Sequence, residues 1–428
     1  MKGNQMSSMI IIPTFWTKPE GKRKRTSRTK VETPYGNPTP LNDPNPPLVR
    51  MLESLRRVRG LDRIVVIVRT TDPSLEVRAD EKVRDLLREF SDLNIFVMGP
   101  AERGSLERRL EQLELHFLIP AITAESYGAT RNLGLIVAAV AGAEVAIMLD
   151  DNEVIESNDF LETALYGIGQ SFESGAVCLA KTGFYMDEHG DWKRDESGDF
   201  TDSLWKPAAA FNQAMVEVLK PPRLQLANLA FGGAMALHRD IYMRVAFDPW
   251  IGRGEDTDYL INARMLGQEV YFDDQWYVTK YTGSGGDPLT RFKQDAFRFV
   301  YEHRKLEFAK SQVDLQQVSI KSISPYPGDF ISSGIGRRAF ATGLFKLLKS
   351  DDRGGYFAAG RAALSEASDY ARENCANYFT FQRAWAQMME RIWEDVALEP
   401  LFFEGNAPDR TALTGQFRAI TGSFKAID

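Results

Sequence analysis

Short apolar blocks alternate with long polar ones through the first two thirds of the chain. The block "MIIIPTFW", Met9 to Trp16, is β-branched and closed by a proline, which predicts a buried first strand with the chain breaking at its end. Residues 17–47 are basic and then proline-rich, too polar and broken for a core, and are expected to form a mobile loop. Leu48 to Val58 has helical spacing, "RIVVIV" from Arg63 to Val68 reads as a second buried strand, and a polar helix over Glu76 to Phe90 precedes the strand "NIFVM". "GATRNLGLIVAAVAG", Gly128 to Gly142, predicts a helix stopped by glycine, and "EVAIML" the next strand.

Residues 187–222 carry an irregular pattern and are expected to be an insertion at the open edge of a sheet, before "FGGAMALHRDIY" restores apolar order. "WIGRGEDTDYLINARMLGQEVYF" predicts a glycine-rich turn, an acid-headed helix capped by Gly267, and a strand. Beyond Thr290 the pattern is almost wholly helical. This alternation predicts an α/β fold with an open, mainly parallel sheet flanked by helices, plus a helical C-terminal extension. In such folds ligands bind outside the carboxyl ends of the strands.

At 428 residues the chain calls for two lobes or one large domain with an appendage. A net charge of -7 argues against nonspecific nucleic-acid binding, which needs many cations against phosphates. Two cysteines, Cys178 and Cys375, far apart in sequence, give neither a disulfide framework nor a cysteine zinc site. The longest apolar run, Leu133 to Leu149, is interrupted by Gly142 and Glu144 and is short for a bilayer span. With no secretory pattern at the N-terminus, a cytoplasmic protein is expected. A peripheral membrane contact and oligomerisation through the helical C-terminal region both stay open.

Candidate chemistry gathers at two places. Asp150 and Asp151 stand where a central strand leaves the sheet, and paired carboxylates there suit a hard divalent cation, although Asp and Asn also serve as ordinary strand-end and capping residues. Glu255, Asp256 and Asp258 open a helix, where acids are favoured by the dipole alone. Trp250, Gly252 and Gly254 beside them permit close approach of a ligand, and a carboxylate so placed can take a proton from a hydroxyl. Arg131 begins the helix before the acid pair, suited to a phosphate or a neighbouring acid. The four histidines are scattered, with no zinc spacing. "GPAERGS" and "GSGGDP" fail as phosphate loops, and the basic run Lys22 to Lys30 offers a surface for an anionic acceptor or lipid headgroups.

Taken in order, "MIIIPTFW", "GATRNLGLIVAAVAGAEVAIMLDDN", "FGGAMALHRD" and "RGEDTDYLINARMLG" resemble the GT-A glycosyltransferases, most closely family 2, over roughly residues 9–285. The resemblance implies a GT-A domain over 1–289 and a helical region over 290–428. It implies transfer of a sugar from a nucleotide-diphosphate donor to an acceptor hydroxyl, assisted by Mg²⁺ or Mn²⁺. Asp151 and Asn152 would hold the metal. Pro13, Thr14, Arg131, Asp150, Gly232, Gly233 and Lys280 would line the donor side, Lys280 standing where some members carry a metal-binding histidine. Trp250 and Gly254 would face the acceptor. Asp256 would be the general base, with Asp258 in reserve and Glu255 beside it; inversion or retention stays open. Asn152 departs from the usual third acid, and "VIVRTTD" places Asp72 away from the usual base-reading position. Two rivals remain: a haloacid-dehalogenase-like phosphatase, from the D-x-N-x-V spacing, and a catalytically silent nucleotide-sugar-binding protein.

Overall fold

A computed structural model describes residues 6–19, 35–36, 38–198, 200–281, 287–350 and 352–403. The Lys22 to Lys30 run, most of the expected 17–47 loop and "TGSGG" before Asp287 lie outside them. The strands are β1 (Ser8–Thr17), β2 (Thr39–Pro40), β3 (Arg63–Thr70), β4 (Ile95–Met98), β5 (Val145–Met148), β6 (Glu153–Val154), β7 (Ala180–Met186), β8 (Leu224–Leu226), β9 (Met235–His238) and β10 (Tyr271–Lys280). The α-helices are α1 (Pro47–Leu55), α2 (Glu76–Leu87), α3 (Pro100–Gln112), α4 (Ile119–Thr123), α5 (Tyr127–Val140), α6 (Phe160–Leu165), α7 (Pro207–Val218), α8 (Arg239–Tyr242), α9 (Glu255–Met265), α10 (Pro288–Ala309), α11 (Ile335–Lys349), α12 (Arg353–Leu364), α13 (Glu366–Glu394) and α14 (Leu398–Phe402).

The sheet runs β4-β3-β1-β5-β9-β7-β10-β6, with β2 beside β1 and β8 beside β10. Its first four strands are parallel, whereas β9 is antiparallel to both β5 and β7 and turns the far half into a mixed sheet. The parallel strands are apolar runs because helices cover both faces. In β3, every residue from Ile64 to Thr70 is buried. Helix α5 is buried from Gly128 through Val140, so it lies inside the layer structure and delivers Arg131 and Asn132 to the interior.

Three expectations change. Pro13 does not end the first strand, which continues to Thr17 in register with β3. Strand residues alternate in the neighbour they bond: Ile11 accepts from Leu149, so Pro13 also faces the β5 side, where β5 has already finished at Met148. Its missing N–H therefore costs no ladder bond. The polar segment before α1 contributes a buried Tyr35 and the Thr39–Pro40 strand, paired to Trp16 and Thr17. The irregular stretch 187–222 contains α7, whose buried face carries Phe211, Ala214, Met215 and Val218.

The described C-terminal helices share one hydrophobic core with the sheet, from Met9 through Trp385 and Met388. Helix α13 is also bonded to the α8 region: Gln382 accepts from Ala246 N–H and donates to the Arg244 carbonyl, and Trp385 Nε1 donates to Tyr242 O at 2.9 Å. Helix α10 adds a charge. Lys305 Nζ, 1% exposed in its side chain, sits 2.7 Å from both Asp248 and Asp258, and Tyr301 donates to Asp248 at 2.9 Å. Burial opposes its charge, but Asp248 and then Asp258 outweigh that and raise the Lys305 pKa. No described helix is long and apolar enough to cross a membrane.

Removing one partner of a buried cluster leaves an uncompensated charge, so Lys305→Ala should lose about 3–5 kcal/mol in urea unfolding. A loss below about 1 kcal/mol would show that the cluster contributes little.

Candidate functional site

Strand β5 ends at the carboxyl edge of the parallel strands, and the turn Asp150–Asn152 that follows is bound back immediately by β6, which pairs Glu153 with Lys280 of β10. That pairing places the Lys280 ammonium 2.7 Å from Asp150 Oδ2, over the Tyr185 ring at 4.2 Å and 3.6 Å from Glu153 Oε1. Arg131 approaches Asp150 from α5, with Nη2 3.1 Å from Oδ1. Burial pushes the Asp150 pKa up, but Lys280 and then Arg131 outweigh it and hold it far below the usual carboxylate range. Asp150 is thus a fixed anion between two cations.

Asp151 is the opposite case. It accepts from Thr14 Oγ1 at 2.7 Å and from the Phe15 N–H, on the flank of β1 that Pro13 leaves beyond the end of β5. No described residue forms an ion pair with it. Burial, opposed by the Thr14 hydrogen bond and helped by the charge of Asp150, raises its pKa to about 7. Glu153, fully buried, is also pushed well up, by desolvation and then by Asp150. Three polar atoms at or beside this turn are buried with no hydrogen-bond partner among the described residues: Asn152 Oδ1 in the turn, Glu153 Oε1 on β6 and Arg131 Nη1 on α5.

The acid-headed helix comes to the same place through Arg131, whose Nε lies 2.9 Å from Glu255 Oε1. Glu255 therefore serves Arg131, being 8% exposed in its side chain. Asp256 is half-buried and accepts from the Gly232 N–H at 3.0 Å and the Thr257 N–H at 2.7 Å, and it forms no ion pair among the described residues. Gly232 and Gly233 are close-approach positions: a Cβ would lie 2.2 Å from Arg131 Nη2 at the first and 1.9 Å from Glu153 Oε1 at the second. Gly233 N–H also donates to the Tyr185 hydroxyl at 2.7 Å.

Several expected roles do not survive this geometry. Asp258 is fully buried and held by Lys305 and Asn262, so its place is structural and it is no reserve base. Gly254, at φ 75°, makes room for a protein group and not an acceptor, since a Cβ there would sit 2.1 Å from the Arg298 guanidinium. Trp250 is half-buried and turned to α13, edge-on to Phe381, with its carbonyl accepting from Tyr370. The sequence reading missed Glu153, Tyr185 and Arg298. Glu153 stands two residues after the acid pair, beyond Asn152, a signal that was available; nothing local marks the other two.

Among the described residues no group of three His, Cys, Asp or Glu side chains forms a metal-binding cluster. An underused carboxylate and an orphan amide oxygen in consecutive residues nevertheless fit a hard cation that arrives with phosphate oxygens. Mg²⁺ commonly keeps one or two protein carboxylates and takes its remaining ligands from substrate and water.

The raised Asp151 pKa makes stability pH-dependent. Between the ordinary carboxylate value of 3.8 and about 7 the folded state holds a proton that the unfolded state has lost, so stability falls as pH rises through that window. Asp151→Asn should flatten the slope of Tm against pH between 4.5 and 7, in the sense of about one proton fewer. An unchanged slope would place the titration elsewhere.

No protein-family model matches the chain, and no curated protein matches it in sequence. Solved structures do match in shape. One is a mannosyltransferase, PcManGT from Pyrobaculum calidifontis, in complex with GDP-Man and Mn²⁺, at 13% identity and a TM-score of 0.38, covering 91% of this chain and 86% of that one. Another is GalNAc-T7 with UDP, GalNAc and Mn²⁺, at 12% identity and a TM-score of 0.36, covering 77% of this chain and 55% of that one.

Proposed function

We propose that this protein is a glycosyltransferase of the GT-A type, similar to family 2, which moves a sugar from a nucleotide-diphosphate donor to an acceptor hydroxyl. One observation carries the reading: Arg131 ties the acid turn after β5 to the acid-headed helix, and Asp151 in that turn and Asp256 in that helix are both left without an ion pair among the described residues. Two available carboxylates on elements joined by a buried cation suit a reaction that handles a diphosphate with one and a hydroxyl proton with the other.

In the proposed reaction the acceptor oxygen forms a bond to the anomeric carbon. The bond from that carbon to the diphosphate oxygen breaks, and its electron pair leaves with the nucleoside diphosphate. Asp256 takes the acceptor proton, held in orientation by the Gly232 and Thr257 N–H groups. Asp151 and Asn152 would hold Mg²⁺ or Mn²⁺, whose chemistry there is to neutralise charge on the leaving diphosphate. Lys280 and Arg131 keep Asp150 ionised and orient it, and the Pro13–Thr14 segment fixes Asp151 through the Thr14 hydroxyl. The phosphatase reading needs Asp150 as nucleophile, and a carboxylate held between two cations is a poor one.

Nucleotide sugars with Mg²⁺ or Mn²⁺ are expected to raise Tm, and Asp151→Ala to remove the metal-dependent part. Asp256→Asn, which keeps an acceptor oxygen for Gly232, should bind donor normally while turnover falls by about 10²–10⁴-fold. Absence of stabilisation by any nucleotide sugar, with or without metal, would sink the proposal.

A further inference from the structure

Helix α10 carries ionisable residues at Arg291, Asp295, Arg298, Glu302 and Lys305, spaced by four, three, four and three, which places them on one helical face. Exposure falls along that stripe. Lys305 and Glu302 are fully buried, Arg298 and Asp295 nearly so, and Arg291 is exposed. Charges are matched at the buried end: Lys305 with Asp248 and Asp258, and Arg298 Nε with Glu302 at 3.0 Å. At the open end Asp295 already has Arg253 at 3.5 Å. Arg291 has no carboxylate within ion-pair reach among the described residues.

A further arginine joins it from the segment before α7. Asn212 of α7 grips the Arg194 backbone on both sides, accepting from its N–H at 2.9 Å and donating to its carbonyl at 2.8 Å. The Arg194 guanidinium lies 3.4 Å over the Phe211 ring and 5.7 Å from the Tyr326 ring, and no described carboxylate pairs with it. Arg298 reaches the same tyrosine, with Nη1 3.4 Å from its hydroxyl. Asp295, one turn from Arg291 on α10 and 3.5 Å from Arg253, brings those two arginines together, and Tyr326 brings Arg194 to the same helix through Arg298; in keeping with this, the Arg291 pKa is lowered by desolvation and then by repulsion from Arg253, with Arg194 adding to it.

Two features tie the cluster to Asp256. The Arg298 guanidinium packs into the space that Gly254 leaves at the turn opening α9, and the charge of Asp256 acts on it. Arg298, 6% exposed, also keeps Nη2 buried without a hydrogen-bond partner among the described residues. In a chain of net charge -7, surplus arginines beside a candidate base require an account.

We infer that Arg194, Arg253 and Arg291 form an anion-binding subsite on the acceptor side of Asp256, so that the acceptor carries a phosphate or similar anionic group near its reacting hydroxyl. Guanidinium forks match phosphate oxygens in pairs, and an aromatic platform under Arg194 fixes one fork in place. This inference rests on the glycosyltransferase reading for the word acceptor, but the subsite itself does not.

The test is calorimetric titration of the intact chain with glycerol 3-phosphate, with glycerol as control and with phosphatidate vesicles to separate a soluble phosphate ester from a lipid headgroup. Arg194 and Arg291 are exposed, so Arg194→Ala and Arg291→Ala should fold normally. Each is expected to weaken binding of the phosphate probe about tenfold, the loss of one charge-assisted contact, while Arg291→Lys retains part of it. Binding of a nucleoside diphosphate, held elsewhere, should change less than about twofold. Equal affinity for the probe in wild type and the double variant, or no binding of either phosphate probe, overturns the subsite. Donor binding that survives such a result leaves the glycosyltransferase reading intact. Arginine-dependent phosphate binding without any donor binding would retain the subsite and remove that reading.

Discussion

Arg131 is the constraint on which the site depends. Its side chain is 3% exposed, and its guanidinium reaches Asp150 at 3.1 Å on one element and Glu255 at 2.9 Å on another, 124 residues away in sequence from Arg131 itself. Arg131 opposes the desolvation that raises the Glu255 pKa and joins Lys280 in holding Asp150 ionised, and the arginine itself could not be buried unpaired. Planar geometry adds direction: a guanidinium presents its donors in a fixed fork, so the two carboxylates are set at a defined spacing. The bare backbone at Gly232 allows the third element, the turn before β9, to come within 2.2 Å of Nη2 as measured from a would-be Cβ. The distance between the acid turn and Asp256 is thus decided by one cation.

Helix α9 is held from behind by the same device. Lys305 binds Asp258 and Asp248 together, and Gln382 and Trp385 of α13 bond the backbone just before that segment. Acid after acid in "GEDTD" consequently divides by direction: Glu255 to Arg131, Asp256 to the crevice, Asp258 to Lys305. At about 100° per residue, positions 256 and 258 point roughly 200° apart, so one sequence motif anchors a helix on its inner face and presents a carboxylate on its outer one. The C-terminal helices belong to the construction of the site, because they supply the counter-charge that lets α9 sit there.

The legible part of this arrangement was the part written in local periodicity. β-branched runs located β1, β3 and β5, the glycine-closed apolar run located α5, and the acids after Gly254 located α9. Proline misled at Pro13 because its cost depends on whether a neighbouring strand needs the missing N–H, which is a property of where β5 stops. Helix α7 was hidden because its apolar face lies between proline-rich and acid-rich flanks that dominate any window of that length. The left-handed turn at Gly254 was readable as a glycine requirement, but its occupant, Arg298, lies 44 positions further on, and no spacing rule connects them. Asp256 and Asp258 were separable in principle by helical rotation alone. Choosing between them required knowing which side of α9 faces Lys305.

Charge bookkeeping around Arg131 gives the site its chemical direction. Four carboxylates, Asp150, Asp151, Glu153 and Glu255, stand against two cations, Arg131 and Lys280. Desolvation leaves such a surplus untenable as four anions, and the Asp151 and Glu153 pKa values accordingly rise, desolvation being the first cause in each and the Asp150 charge adding to it. A diphosphate entering this crevice on the proposed reading would add further negative charge, which protonated acids tolerate but do not attract. On that reading Asp151 would hold a divalent cation, which would supply positive charge that favours the ionised acid and attracts phosphate oxygens. Donor affinity and metal affinity should then be coupled, each raising the other by the same factor. On that reading the asymmetry between a pinned Asp150 and an Asp151 without an ion pair is what would make that coupling available: one acid holds the cations the fold supplies, and the next is held by neutral donors alone.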